Sequence, residues 1–188
     1  MIVASHTAVL LAAGASTRLG RPKQLIEIAG ETLLHRVARA LLATSPSELI
    51  VVLGDDAERM QSAIDDLPLR VVIASDYASG MSASLRVGIA AIDGDSAGAL
   101  IALTDQPALD LPHLLALRDA WRAAPARAIA SAYAGVRGVP AILPRAWFAD
   151  IARLHGDAGA RELLRARDVT AIGAPALATD IDRPEDLR

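Results

Sequence analysis

Cysteine is absent from all 188 residues. Disulfide bridges, thiolate nucleophiles and thiolate metal sites are therefore excluded together, and the composition is compatible with the cytoplasm. Aromatic residues make up 3% against a hydrophobic fraction of 53%, so the core must be assembled from Ala, Leu, Val and Ile. No apolar run approaches the roughly 18 residues that a bilayer-spanning helix needs, and no membrane partner is expected. A basic excess is also lacking: formal net charge is -3, which argues against the broad cationic face required by nucleic acid. The four histidines, His6, His35, His113 and His155, have no metal-ligating partner at useful spacing and read as structural or solvated. What the length does suit is one α/β domain covering 1–188.

Against this background the segment 7–26, TAVLLAAGASTRLGRPKQLI, stands out. An apolar run at 8–11 breaks at Ala12, Ala13 and Gly14 into a small-residue turn, and Arg18, Gly20, Arg21 and Lys23 follow before apolar residues resume. A buried strand that ends in a glycine turn with exposed amides and clustered cations is a way for α/β proteins to hold polyphosphate. The spacing excludes two common phosphate loops. Arg21 and Pro22 separate Gly20 from Lys23, so the Gly-Lys-Ser/Thr of a Walker loop is missing, and Gly14-Ala15-Ser16 lacks the paired glycines of the dinucleotide fingerprint. The stretch AVLLAAGA could pass for a signal-peptide core, but no Lys or Arg precedes it, and the basic loop behind it reads as retained structure.

Strands and helices alternate along the rest of the chain. Strands are expected at 7–11, 49–53, 70–74 and 99–103, with helices at 33–42, 57–64, 82–92 and 112–121. This alternation predicts a mostly parallel, three-layer α/β sheet. Residues 128–133 and 139–143 flank a Gly135-x-x-Gly138 turn and predict an antiparallel excursion. Helices at 146–154 and 158–166 and a last strand at 170–173 complete the pattern.

In such sheets a ligand lies beyond the carboxyl ends of the strands, where three polar segments would converge. Gly54-Asp55-Asp56 reads most simply as a turn and helix cap. Ser82 is a suitable N-cap for the following helix, a role compatible with contacting a ligand. Asp105 follows a buried strand and precedes Pro107; a carboxylate there suits Mg2+, which takes one or two protein carboxylates plus substrate phosphates, although capping the next helix is the competing role. The tail from Thr179 to Leu187 contains Asp180 and Asp182 before Pro184, and spacing alone leaves metal binding and helix capping both open.

Leu11, Ala13, Gly14, Ser16, Arg18, Gly20 and Lys23 fall on the signature L-x-A-G-x-S-x-R-x-G-x-x-K, so the chain resembles the GT-A-like nucleotidyltransferases, whose fold is Rossmann-like. Three further segments, 79–88, 104–107 and 156–161, and the closing run 180–186 are similar to molybdenum cofactor nucleotidyltransferases, the cytidylyltransferase branch more than the guanylyltransferase branch. The resemblance implies transfer of a nucleoside monophosphate from an NTP, CTP before GTP, to a phosphorylated acceptor such as molybdopterin, with release of pyrophosphate. By the same resemblance, Leu11, Ala12, Ala13, Gly14, Ala15 and Ser16 would bind the nucleotide, the backbone from Ala13 to Ser16 wrapping the triphosphate while Arg18 and Lys23 neutralise it. Gly80 and Ser82 would approach the base or ribose, Asp105 and Asp182 would hold Mg2+, and Asp157 and Arg161 would face the acceptor. A molybdoenzyme would be a transient partner. Val139 stands where relatives often have His, which bears on the acceptor. A sugar phosphate acceptor, or a non-catalytic molybdopterin-binding accessory role, are the alternatives; the triphosphate clamp weighs against the latter.

Overall fold

Alternate residues of the first strand, His6–Leu11 (β1), face two different buried layers: Ala8 and Leu10 join one apolar cluster, Val9 and Leu11 the other. All six residues are buried, as expected of a strand covered on both faces. The computed structural model describes residues 4–14, 16, 20–156 and 159–179. After β1 come the two-residue strands Glu27–Ile28 (β2) and Glu31–Thr32 (β3), helix Leu33–Leu42 (α1), strand Leu49–Leu53 (β4), helix Ala57–Ser62 (α2) and strand Arg70–Ile73 (β5). Helix Met81–Ala90 (α3), strand Gly98–Leu103 (β6), helix Leu111–Ala123 (α4) and strands Ala128–Tyr133 (β7) and Val136–Pro144 (β8) follow. The described chain closes with helices Phe148–Ile151 (α5) and Ala160–Ala166 (α6) and strand Val169–Gly173 (β9).

Among the described residues, seven strands form one sheet in the order β5-β4-β1-β6-β8-β7-β9. Pairing is parallel except on both sides of β8, which is antiparallel to β6 and to β7. The predicted architecture, a mostly parallel three-layer sheet with an antiparallel excursion, is the one observed. Leu34, Val37 and Leu41 of α1 and Leu114, Leu117 and Trp121 of α4 pack on one face. Leu85 and Ile89 of α3, Ile151 of α5 and Leu164 of α6 pack on the other. Gly88 lets α3 approach the sheet, since a Cβ there would fall 2.6 Å from Val9 Cγ1. Chain order runs from β1 outward to β4 and β5, then returns across β1 to β6. The crevice beyond β1 and β6 is thus a topological switch point, the usual ligand position in open α/β sheets.

Several local expectations are revised. The β2–β3 hairpin was not legible, because two-residue strands carry no periodic signal; its turn places Ala29 and Gly30 at φ 55° and 80°, a type I′ geometry. Strand β8 begins before Gly138, and the turn sits at Ala134 and Gly135 instead. The helix expected over 146–154 is a 3-10 turn, Arg145–Trp147, followed only by α5. Side chains from α3 take the carbonyls beyond it: Arg86 donates to Leu154 O at 2.8 Å and Ser82 Oγ to Gly156 O at 2.7 Å. Ser82 is not the N-cap of α3; Gly80 occupies that position. Asp56 does precede α2, yet its carboxylate accepts from Arg59 at 2.7 Å and makes no side-chain cap.

Candidate functional site

Where β1 ends, its sheet bonding continues for one residue, Ala12 N donating to Val52 O at 2.9 Å, before the chain turns. Gln24, 1% exposed, stands behind this turn. Its Nε2 donates to Ala12 O at 2.9 Å and to Gly14 O at 2.8 Å, and its Oε1 accepts from Ser16 Oγ at 3.2 Å. The Ser16 oxygen in turn accepts from Lys23 N at 3.0 Å. A small-residue loop with little side-chain packing of its own is therefore held by one buried amide.

Strand β6, buried apart from its last residue, delivers the opposite wall. Beyond Leu103 the chain turns through Thr104 and Asp105, and Gln106 anchors this turn by donating from Nε2 to Val139 O at 3.2 Å and Leu177 O at 3.4 Å. Asp105 Oδ2 accepts from Lys23 Nζ at 2.8 Å. The other oxygen, Oδ1, is buried with no hydrogen-bond partner among the described residues. Asp105 does not cap the next helix, because Asp110 does so by accepting from His113 N at 2.9 Å.

A third wall comes from the start of α3 and the turn before it. Tyr77, Ala78, Gly80, Met81 and Ser84 line a cavity of about 360 Å³ together with Leu11, Ala12, Ala13, Gly14, Lys23, Gln24, Leu103, Thr104 and Asp105. Gly54 permits this closeness, since a Cβ there would lie 2.7 Å from both Ala13 O and Tyr77 Cγ.

Of the residues singled out from sequence, Leu11, Ala12, Ala13, Gly14, Lys23, Gly80 and Asp105 come together in this one cavity. Ser16 lies behind it, braced between Gln24 and Lys23. Ser82 is 1% exposed and directs its hydroxyl to Gly156 O, while Ser84 takes a place on the lining. Arg161 is exposed on the first turn of α6, outside the lining. Ala15, Arg18, Asp157 and Asp182 lie outside the described residues. Sequence reasoning did not single out Gln24, Tyr77, Met81, Ser84 or Thr104. For Gln24 a signal existed: an amide set beside Leu25 and Ile26 in a resuming apolar run must find buried partners.

The cavity has one cationic and one anionic pole. Lys23 can pair with phosphate oxygens, and the buried, unpartnered Oδ1 of Asp105 suits a hard cation. Among the described residues no group of three His, Cys, Asp or Glu side chains could hold a metal alone. A divalent ion here would depend on oxygens brought by the ligand, which is how Mg2+ is commonly held beside phosphates. No helix among the described residues is long and apolar enough to cross a membrane.

Comparison with known proteins bears on the fold and the family. Rv0371c of Mycobacterium tuberculosis H37Rv superposes with a TM-score of 0.87 at 31% identity, over 100% of this chain and 97% of that one. A second structure of that protein, a complex with manganese, superposes with a TM-score of 0.82 at 28% identity, over 100% of this chain and 97% of that one. Among curated proteins, nicotine blue oxidoreductase of Paenarthrobacter nicotinovorans is 34% identical over 96% of this chain and 94% of its own length. The bifunctional protein GlmU of Sorangium cellulosum is 35% identical over 61% of this chain, and the match spans 26% of GlmU. Residues 8–171 match the MobA-like NTP transferase domain, and the chain belongs to that nucleotidyltransferase family.

Proposed function

We propose that the protein transfers a nucleoside monophosphate from CTP, in preference to GTP, to the phosphate of a molybdopterin-type acceptor. An oxygen of the acceptor phosphate attacks the α-phosphorus, the bond from that phosphorus to the bridging oxygen breaks, and pyrophosphate leaves. The observation that carries this reading is the Lys23–Asp105 pair, 2.8 Å apart, facing the small-residue loop after β1 across one cavity. Backbone N–H groups from Ala13 to Ser16 bind the triphosphate, with Arg18 and Lys23 neutralising it. Gly80 belongs to the side that takes the base and ribose, with Ser82 supporting that wall from behind through its bond to Gly156 O, and Asp157 and Arg161 belong to the acceptor side. Bound Mg2+, held by Asp105 and Asp182, would stabilise the charge developing on the leaving pyrophosphate. Such transfer needs positioning and charge stabilisation more than covalent participation by protein, in keeping with a cavity that holds no Ser-His-Asp set. A sugar phosphate could serve as acceptor to the same residues.

The test is pyrophosphate release from CTP, GTP and ATP with purified molybdopterin and Mg2+, followed by direct competition between CTP and GTP. Release that requires the acceptor and favours CTP supports the proposal. Equal or reversed base preference discards the cytidylyl assignment, and no release with any nucleotide discards molybdopterin as the acceptor.

A second reading, reduction or oxidation of a small molecule, is favoured by the 34% identity to nicotine blue oxidoreductase over nearly the whole chain. The loop after β1 lacks the paired glycines of a dinucleotide fingerprint, which weighs against it. Nicotinamide cofactor turnover in the absence of any NTP would establish this alternative.

A further inference from the structure

We infer that Gln24 is the positioning residue of the phosphate loop, its buried amide withdrawing the loop's carbonyls from the anion. This inference rests on the polyphosphate site proposed above. A loop that cradles an anion through successive N–H groups carries an equal number of carbonyl oxygens, whose lone pairs repel phosphate. Here three consecutive carbonyls are accounted for. Those of Ala12 and Gly14 accept the two protons of Gln24 Nε2, at 2.9 and 2.8 Å. That of Ala13 sits against Gly54, where a Cβ would come within 2.7 Å.

The partners also fix the orientation of the amide. Only its NH2 end can face two carbonyls, so Oε1 faces Ser16 and accepts from Oγ at 3.2 Å. Ser16 passes the constraint on, because its oxygen accepts from Lys23 N at 3.0 Å. One side chain thus sets the carbonyls of the turn, the Ser16 hydroxyl and the backbone from which Lys23 reaches the cavity. A residue serving only to fill this space, 1% exposed and followed by Leu25 and Ile26, would be apolar.

The test compares inorganic tripolyphosphate binding by titration calorimetry for wild type, Gln24→Met, Gln24→Glu and Ser16→Ala, each shown to be folded by thermal melting. Gln24→Met frees two carbonyls and is expected to weaken binding roughly tenfold or more, with Ser16→Ala losing a smaller factor. Gln24→Glu adds a pH signature. Its carboxylate would face two carbonyl oxygens in a buried setting, which raises its pKa. The ratio of wild-type to variant affinity should be large at pH 8 and narrow toward pH 5.5, where a protonated carboxyl regains one donor. A residue of merely structural importance predicts a constant ratio in folded protein. Wild-type affinity in both Gln24 variants, or a pH-independent ratio, overturns the inference. If Gln24→Met does not fold, unchanged binding by Ser16→Ala together with a flat ratio for Gln24→Glu overturns it equally. Failure of wild-type protein to bind tripolyphosphate or any NTP overturns instead the site reading on which it depends.

Discussion

Lys23 Nζ and Asp105 Oδ2 pair across the cavity, with side chains only 17% and 19% exposed. A triphosphate and its cation would replace the pair by giving each charge a new partner, so neither is left buried and unpaired. On the proposed function, Lys23 then turns to phosphate oxygens and Asp105 to the metal. Losing one preorganised charge contact typically costs about a hundredfold in rate. Lys23→Ala is therefore expected to lower kcat by about that factor, whereas Arg21→Ala, on the exposed part of the same loop, should remain near wild type. Steady-state kinetics at saturating nucleotide checks both, and near-normal turnover in Lys23→Ala would remove the loop cation from the mechanism.

At the scale of elements, two turns make opposite demands on their residues. The β2–β3 turn holds Ala29 at φ 55°, where its Cβ is strained by roughly 1 kcal/mol. Ala29→Gly or Ala29→Asn should raise the denaturation midpoint slightly and leave activity alone; a lower midpoint would contradict the turn geometry. Gly54 works in the other direction. A methyl group there meets the Ala13 carbonyl and the Tyr77 ring at 2.7 Å, so Gly54→Ala should displace the loop or the ring and raise the KM for nucleotide more than it lowers kcat. An unchanged KM would show that this contact does not shape the cavity. The same elements explain what sequence could and could not disclose. Buried runs such as 49–53 and 99–103, ending in polar turns, announce parallel strands and the rim where Lys23 and Asp105 meet. Tyr77 was not legible, because its place depends on a close backbone approach at Gly54 that leaves no periodic trace. Ser82 misled for a related reason: the helix starts at Met81, and the hydroxyl is spent on Gly156, 74 residues away.

Across the whole molecule, stability should depend on pH through a group at the far end of the sheet from the cavity. His6 is fully buried at the start of β1, with Nε2 3.0 Å from Thr44 Oγ1. Because Thr44 Oγ1 donates to Leu41 O at 2.7 Å, the His6 ring donates from Nε2. Burial, with Arg122 and Arg118 nearby, lowers its pKa from 6.5 to about 4. The unfolded chain then binds more protons than the folded one between these values, so the contribution is complete above pH 6.5 and is lost as pH falls toward 4. That loss is on the order of 3 kcal/mol. His35 acts in the opposite sense: hydrogen bonding to Glu31 raises its pKa, and its contribution is present below the unfolded value and lost as pH rises through the raised one. Urea melts at pH 7.5 and 4.5 should show wild type weakening in acid and His6→Gln weakening less; parallel loss in both would exclude His6 as the cause.

The most direct test of the central claim, that the Lys23–Asp105 cavity performs metal-dependent nucleotidyl transfer, follows the α-phosphate itself. With α-labelled CTP, Mg2+ and molybdopterin, wild type and Arg21→Ala should move label to the acceptor and release pyrophosphate in equal amount. Asp105→Asn and Lys23→Ala, melting near wild type, should transfer little or none. Label transfer by Asp105→Asn at the wild-type rate, or a wild-type protein that transfers none from any NTP, would contradict the account.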